Sequence, residues 1–311
     1  YGMGLALGAK GVKKAAWITW DYAAGNEAGE GFKWLEVMCW PTDASDHRRY
    51  AGVTHIDVGA FGAADAARVN DLCRKHGVGI SGLGYYPNPL APDQTERDRY
   101  VAHLGRVIDA AGLLGVGVVN TFIGRDPTLP IEAQWEQVEA VWRPIVDRAK
   151  AANVRIGIEN CPMLFSLDEW PGGKNLAVSP AVWAGLLRRL PSANLGLNFD
   201  PSHLVWQGID IDRALRDFAH KLVHVHLKDE RVDRDLLHER GILGLGWHFP
   251  KIPGLGDIDW SRFFRTLTDV GWDGPVIIEV EDRAFEDSVA GRMEAVRAAG
   301  QCLRTVMECG G

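Results

Sequence analysis

Four ionisable residues sit at or near the ends of short apolar runs: Glu159 closes RIGIE, Asp200 closes LGLNFD, His226 lies in LVHVHLKD and Glu279 closes PVIIE. An unpaired charge at the end of a buried strand costs several kcal/mol. One divalent cation would satisfy all four together. Three carboxylates and one imidazole form a hard, oxygen-rich donor set, suited to Mn, Mg or Co more than to a thiolate-type zinc site. Each residue taken alone more often finds its own Arg, Lys or backbone partner; as a set they answer one physical need. In NFDPSH, Asn198–His203, an Asp and a His stand three positions apart where an apolar run meets a Pro-containing turn. The same grammar also ends a strand and starts a helix, and Ser202 suits a helix cap as well as it suits chemistry. His203 then stands beside Asp200 as a further ligand or as a hydrogen-bond donor to substrate. His224 faces the same side as His226, two residues on, and His226 is preferred because it lies nearer the end of its run.

A cation held by carboxylates with open positions can chelate two neighbouring oxygens of a sugar and polarise a carbonyl. It also stabilises the enediolate formed when the adjacent C–H loses its proton. Two carboxylates on opposite sides remove and return that proton, so Glu159 and Glu279 are candidates both as ligands and as catalytic bases. Around them, Tyr86, Trp170 and Trp206 offer faces for a sugar ring, with Tyr85, Phe122 and Trp247 as further aromatic residues near the mouth. Lys228 is a candidate substrate contact, although a Lys-Asp pair such as Lys228–Asp229 is more often a surface ion pair.

Such residues converge only if the strands that carry them are parallel and end on one face. The chain alternates short apolar runs with helical segments, and the runs do not alternate in polarity, which means a parallel sheet covered on both faces. Strands are expected at Tyr1–Gly8, Phe32–Trp40, Val78–Tyr86, Val116–Ile123, Val154–Glu159, Leu195–Phe199, Leu222–Leu227 and Val276–Val280, with a short extra one at Val53–Val58. Helices are expected at Ala63–His76, Gln94–Leu114, Ile131–Ala152, Pro180–Leu190, Asp210–Ala219, Trp260–Val270 and Asp287–Met307, with weaker helical character over Val12–Ala28. The glycine-rich stretch Lys228–Asp257 reads as a long connection. Eight β/α units in 311 residues predict an α/β fold, a single (β/α)8 TIM barrel spanning residues 1–311 as one domain. No G-x-G-x-x-G follows the first strand, which argues against a dinucleotide-binding sheet.

Hydrophobic residues make up 46% of the chain, enough for a sizeable core. No apolar run is long enough for a membrane span. The net charge of −7 disfavours nucleic acid or an anionic membrane as partner. Five cysteines without a C-x-x-C pair indicate reduced thiols in a cytoplasm, and no targeting signal is evident at Tyr1–Lys10.

The chain resembles the sugar phosphate isomerase/epimerase family, the xylose-isomerase-like barrels that include inosose dehydratases and isomerases, ketose 3-epimerases and AP endonucleases. The resemblance runs from Phe32 onward and is carried by IGIENCPM (Ile156–Met163), DEWPGGKNLA (Asp168–Ala177), GLNFDPSHLVWQGID (Gly196–Asp210), HVHLKD (His224–Asp229), PGLGDIDW (Pro253–Trp260) and GWDGPVIIEVED (Gly271–Asp282). It implies one divalent metal, frequently Mn with Mg, Co or Zn as alternatives, on the positions of Glu159, Asp200, His226 and Glu279. It also implies a small-molecule carbohydrate substrate near His203.

Two departures matter. Similar epimerases carry a second Glu six residues after the first, where this chain has Phe165, and an Arg six residues after the metal His, where it has Val232. The AP endonuclease branch needs extra His ligands on its third and fourth strands, and Val78–Tyr86 and Val116–Ile123 hold none. The expected function is a metal-dependent sugar or cyclitol isomerase or epimerase. A lyase of the inosose dehydratase or 3-keto C-glycoside deglycosidase type is the nearest alternative, and a non-catalytic carbohydrate-binding or partner subunit is the reading from another class. Self-association and an accessory subunit both stay open.

Overall fold

The computed structural model describes residues 32–42, 54–163 and 173–309. Its strands, in chain order among the described residues, are β1 Trp34–Met38, β2 Gly79–Gly84, β3 Val118–Thr121, β4 Arg155–Glu159, β5 Leu195–Phe199, β6 Leu222–Leu227, β7 Asp229–Val232, β8 His248–Lys251 and β9 Val276–Ile278. Strands β1 to β6 and then β9 form one sheet in that spatial order, and every neighbour is parallel. The ends of the row, β1 and β9, lie against each other. The sheet is therefore a nearly closed barrel, as a TIM barrel requires. The eighth strand expected at Tyr1–Gly8 and the helix at Val12–Ala28 lie outside the described residues. Of Val53–Val58, the described part contributes only a bridge between Thr54 and Cys39.

The helices are α1 Ala63–His76, α2 Gln94–Leu114, α3 Trp135–Ala151, α4 Pro180–Arg189, α5 Ser202–Val205, α6 Ile211–Phe218, α7 Arg234–Arg240, α8 Trp260–Asp269 and α9 Val289–Cys309. Their starts follow from aspartates placed to accept the orphan N–H groups of a first turn. Asp93 accepts from Glu96, Asp210 from Arg213 and Asp259 from Arg262. Helices α1 and α2 stop at Gly77 (φ 64°) and Gly115 (φ 73°), a left-handed conformation that favours glycine. Leu104, Val107, Trp142, Ile145, Trp183 and Leu186 from the helices share one buried cluster with Leu83, Val119, Ile156 and Leu197 from the strands. Strand burial does not alternate because both sheet faces are covered.

Two expectations change. The segment Ile131–Ala152 opens as a 3-10 turn, Ile131–Gln134, before α3 begins. The Gln134 side chain turns back to accept the Asp126 N–H and donate to Leu129, which holds that turn tight. The stretch Lys228–Asp257 is not a bare connection: β7 and β8 pair antiparallel, with α7 between them. Its glycine-rich return folds onto the buried carboxylate of Asp229, which accepts from the N–H groups of Gly254 and Ile258 and the Trp260 indole. A Cβ at Gly256 would stand 2.2 Å from Asp229 Oδ1, so the glycine is what lets the loop close. Among the described residues no helix is long and apolar enough to cross a membrane.

Candidate active site

Glu159 is the last residue of β4, Asp200 and Glu279 follow β5 and β9 directly, and His226 is the fifth residue of β6. Parallel barrel strands deliver such positions to one pocket at their C-terminal ends. All four side chains are buried, and one donor atom from each lies within 4.8 Å of the others. His226 Nδ1 stands 3.4 Å from Glu279 Oε2 and 3.9 Å from Glu159 Oε2. Asp200 spends Oδ1 on the Ser202 N–H at 2.9 Å and leaves Oδ2 to the cluster. Glu159 Oε1, Asp200 Oδ2, His226 Nδ1 and both Glu279 oxygens are buried without a directed hydrogen bond. Buried polar atoms are rarely left that way, and a hard divalent cation is the partner this donor set fits.

His203 and Lys228 enter the same cluster. His203 Nε2 lies 3.2 Å from Asp200 Oδ2 and 3.7 Å from Glu159 Oε1. Lys228 Nζ is 3.1 Å from Asp200 Oδ2 and 3.2 Å from Glu279 Oε2, and it donates to Glu281 Oε2 at 2.9 Å. The surface ion pair of Lys228 with Asp229 does not form. Successive side chains of an extended chain point to opposite faces, so Lys228 turns into the barrel and Asp229 into the loop behind it. Burial opposes the lysine charge, but Asp200, Glu279 and Glu281 more than offset it and raise its pKa well above the ordinary value. Burial likewise lifts the Glu281 carboxyl to about 7 despite Lys228. Desolvation raises Glu159, with Glu279 adding to it, whereas on Asp200 the opposing pull of Lys228 and His203 wins and lowers the pKa.

The aromatic candidates divide. The Tyr86 ring is buried and packs on Phe122, and its hydroxyl donates to Glu36 Oε1 at 2.6 Å. Trp206 stacks on His248 at 4.6 Å and meets Trp247 edge-on, forming a wall with the β7–β8 hairpin. His248 in turn donates to Glu230 at 2.7 Å. Tyr85 packs on Trp40 and His103, where α2 covers the sheet. Trp170 and Phe165 lie outside the described residues. Between the histidines, His224 spends both ring nitrogens, on Asn198 Oδ1 and Ser81 Oγ at 3.1 Å each, and only His226 keeps a nitrogen for the carboxylates.

Several participants escape a search of strand ends. Glu36 sits in the middle of β1, and Glu281 lies two residues past a strand end already occupied by Glu279. Asn175 ties three segments together by accepting from the Ile123 N–H and donating to the carbonyls of Glu159 and Cys161. The available signal for Glu36 is a lone charge inside WLEVMCW, Trp34–Trp40, the same signal that marks the four residues above.

Over 242 residues the chain is 26% identical to the L-ribulose 3-epimerase of Mesorhizobium japonicum, a match covering 76% of this chain and 68% of that one. Over 91 residues it is 36% identical to the inosose dehydratase of Clostridium perfringens, covering 27% of this chain and 30% of that one. A solved structure of L-ribulose 3-epimerase matches with a TM-score of 0.68 and 20% identity, covering 97% of this chain and 93% of the other, which shows a shared fold. The profile of the xylose isomerase-like TIM barrels spans residues 25–306, and the chain belongs to that family.

Proposed function

We propose that this protein is a divalent-metal-dependent isomerase or epimerase of a sugar or cyclitol, acting by proton abstraction next to a carbonyl. The observation that carries the reading is the convergence of the buried side chains of Glu159, Asp200, His226 and Glu279, with donor atoms within 4.8 Å of one another, at one end of the barrel. One divalent cation, manganese the expected one, would supply a Lewis acid that polarises the carbonyl and stabilises charge developing on its oxygen. Glu159 and Glu279 stand on strands on either side of β5 and β6, so one carboxylate takes the proton and the other returns it from the opposite face. His203 and Lys228 point donors into the same space and orient the substrate oxygens. Trp206 closes one side of the mouth as a platform for a ring. Cys39, Cys73, Cys161 and Cys302 are free thiols, which fits the reducing conditions of a cytoplasm.

A second reading, elimination by the same proton abstraction, is favoured by the local similarity to inosose dehydratase and by Val232 standing where similar epimerases have an arginine. The two part at the product. Purified protein is incubated in deuterium oxide with ketoses, inososes and 3-keto-glycosides, and products are read by NMR and mass spectrometry. Deuterium at the carbon next to the carbonyl with retained mass formula supports isomerisation or epimerisation, and loss of water or of an aglycone supports elimination. Full turnover by Glu159→Gln, or no deuterium incorporation in any product, would overturn the proton-abstraction reading. Absence of bound metal together with sugar binding and no turnover would leave a carbohydrate-binding subunit instead.

A further inference from the structure

We propose that Glu36 is a positioning residue for the cation site, holding the Nε2 proton of His226 so that the ring presents Nδ1 to the carboxylates; this rests on the metal-dependent reading above. Glu36 lies on β1, far from His226 in sequence, and reaches it across the barrel interior. Its Oε2 accepts from His226 Nε2 at 2.6 Å, the length of a charge-assisted bond. Its Oε1 accepts from the Tyr86 hydroxyl, also at 2.6 Å. Both carboxylate oxygens are thereby engaged, and the side chain is fully buried.

A neutral imidazole carries one N–H, and the nitrogen that keeps it is set by the partner it meets. With the proton held on Nε2 by an anion, the lone pair is left on Nδ1. That is the nitrogen found buried, without a hydrogen-bond partner, 3.4 Å from Glu279 and 3.9 Å from Glu159. A carboxylate behind a ligating histidine also raises the basicity of the ring. Space for it is provided by the neighbouring strand, where a Cβ at Gly84 would stand 2.9 Å from Glu36 Oε1. The alternative, a second cation among Glu36, His224 and His226, meets no open donor: the protons of Tyr86 and His226 occupy Glu36, and Asn198 and Ser81 occupy His224.

The test is cation binding itself. Cobalt(II) is titrated into metal-stripped protein and followed by calorimetry and visible absorption. Glu36→Gln is expected to weaken affinity by roughly 10- to 100-fold, with the far-ultraviolet dichroism and hydrodynamic size of the apoprotein unchanged. Glu36→Asp is expected to recover part of the loss. In zinc-loaded wild-type protein, long-range proton–nitrogen NMR should find the His226 proton on Nε2, a readout that survives even if the variants fail to fold. Wild-type cobalt affinity in Glu36→Gln, or a His226 proton on Nδ1, overturns the role of Glu36 alone. A wild-type protein that binds no divalent cation overturns the metal reading, and the role of Glu36 with it.

Discussion

Lys228 Nζ lies 3.1 Å from Asp200 Oδ2, inside the barrel and away from water. The oxygen it approaches is the one also faced by His203 Nε2 at 3.2 Å, the other being engaged by the Ser202 N–H. Lys228 and the proposed metal cation would thus share one carboxylate, and Glu279 Oε2, 3.2 Å from Lys228 Nζ, would be shared in the same way.

Removing that ammonium leaves three carboxylates without their nearest positive charge. Breaking a buried pair by deleting one partner costs about 3–5 kcal/mol. Lys228→Met is therefore expected to destabilise the metal-free protein by that order, and saturating manganese is expected to recover much of the loss, since a dication neutralises the same oxygens. Urea unfolding with and without manganese measures both terms. An equal deficit under the two conditions would show that lysine and metal do not share these carboxylates.

The strand ends that carry Glu159 and Asp200 are joined by one amide. Asn160 donates to the Asp200 carbonyl and accepts from the Asp200 N–H, each at 2.8 Å. Asn160→Ala strands both backbone groups in a buried site, at about 1–3 kcal/mol for each. The expected outcome is a loss of about 2–6 kcal/mol in unfolding free energy, with weaker manganese binding as Asp200 shifts. A variant as stable as the parent would mean water or another donor replaces the amide.

Much of this was legible in the sequence because the barrel repeats one rule. Each parallel strand is a short apolar run, and the polar residue at its end falls at the pocket, so Glu159, Asp200 and Glu279 announce themselves by position. His226 was distinguishable from His224 only by depth. What stayed hidden depends on contacts across the barrel. Glu36 touches His226 190 residues away, and nothing in the local pattern of KWLEVMCW tells a charge at mid-strand which partner it will meet. The burial of Lys228 was hidden too, because the loop after β6 turns out to be a hairpin whose first strand continues the alternation inward and outward. Tyr86 reads as a mouth residue by its place at the end of a strand, and its hydroxyl instead serves Glu36.

Chelation should register as a loss of stability as well as of activity. A ligand that binds only the native state stabilises by about 2.7 kcal/mol when present at a hundred times its dissociation constant. The thermal midpoint is expected to rise steadily with free manganese and to fall to a floor in EDTA. Magnesium, a poorer match for the imidazole, should require a higher concentration for the same shift. A midpoint indifferent to all divalent cations would contradict the cation centre.

Acid should act through His55, which lies outside the site. Its ring is buried, Nδ1 accepts the Met38 N–H at 3.0 Å, and Nε2 has no partner. Burial drives its pKa down from 6.5 to about 4. Between those values the unfolded chain binds a proton that the folded chain refuses, so stability rises with pH across that window and is lost as pH falls from 6.5 towards 4. A shift of this size corresponds to about 3 kcal/mol. His55→Gln keeps an acceptor for Met38 and removes the titration. The difference in unfolding free energy between wild type and His55→Gln is expected to be constant above pH 7 and to move by about 3 kcal/mol against the wild type by pH 4. A difference that stays flat across this range would mean the ring is already protonated, or exposed, in the native state.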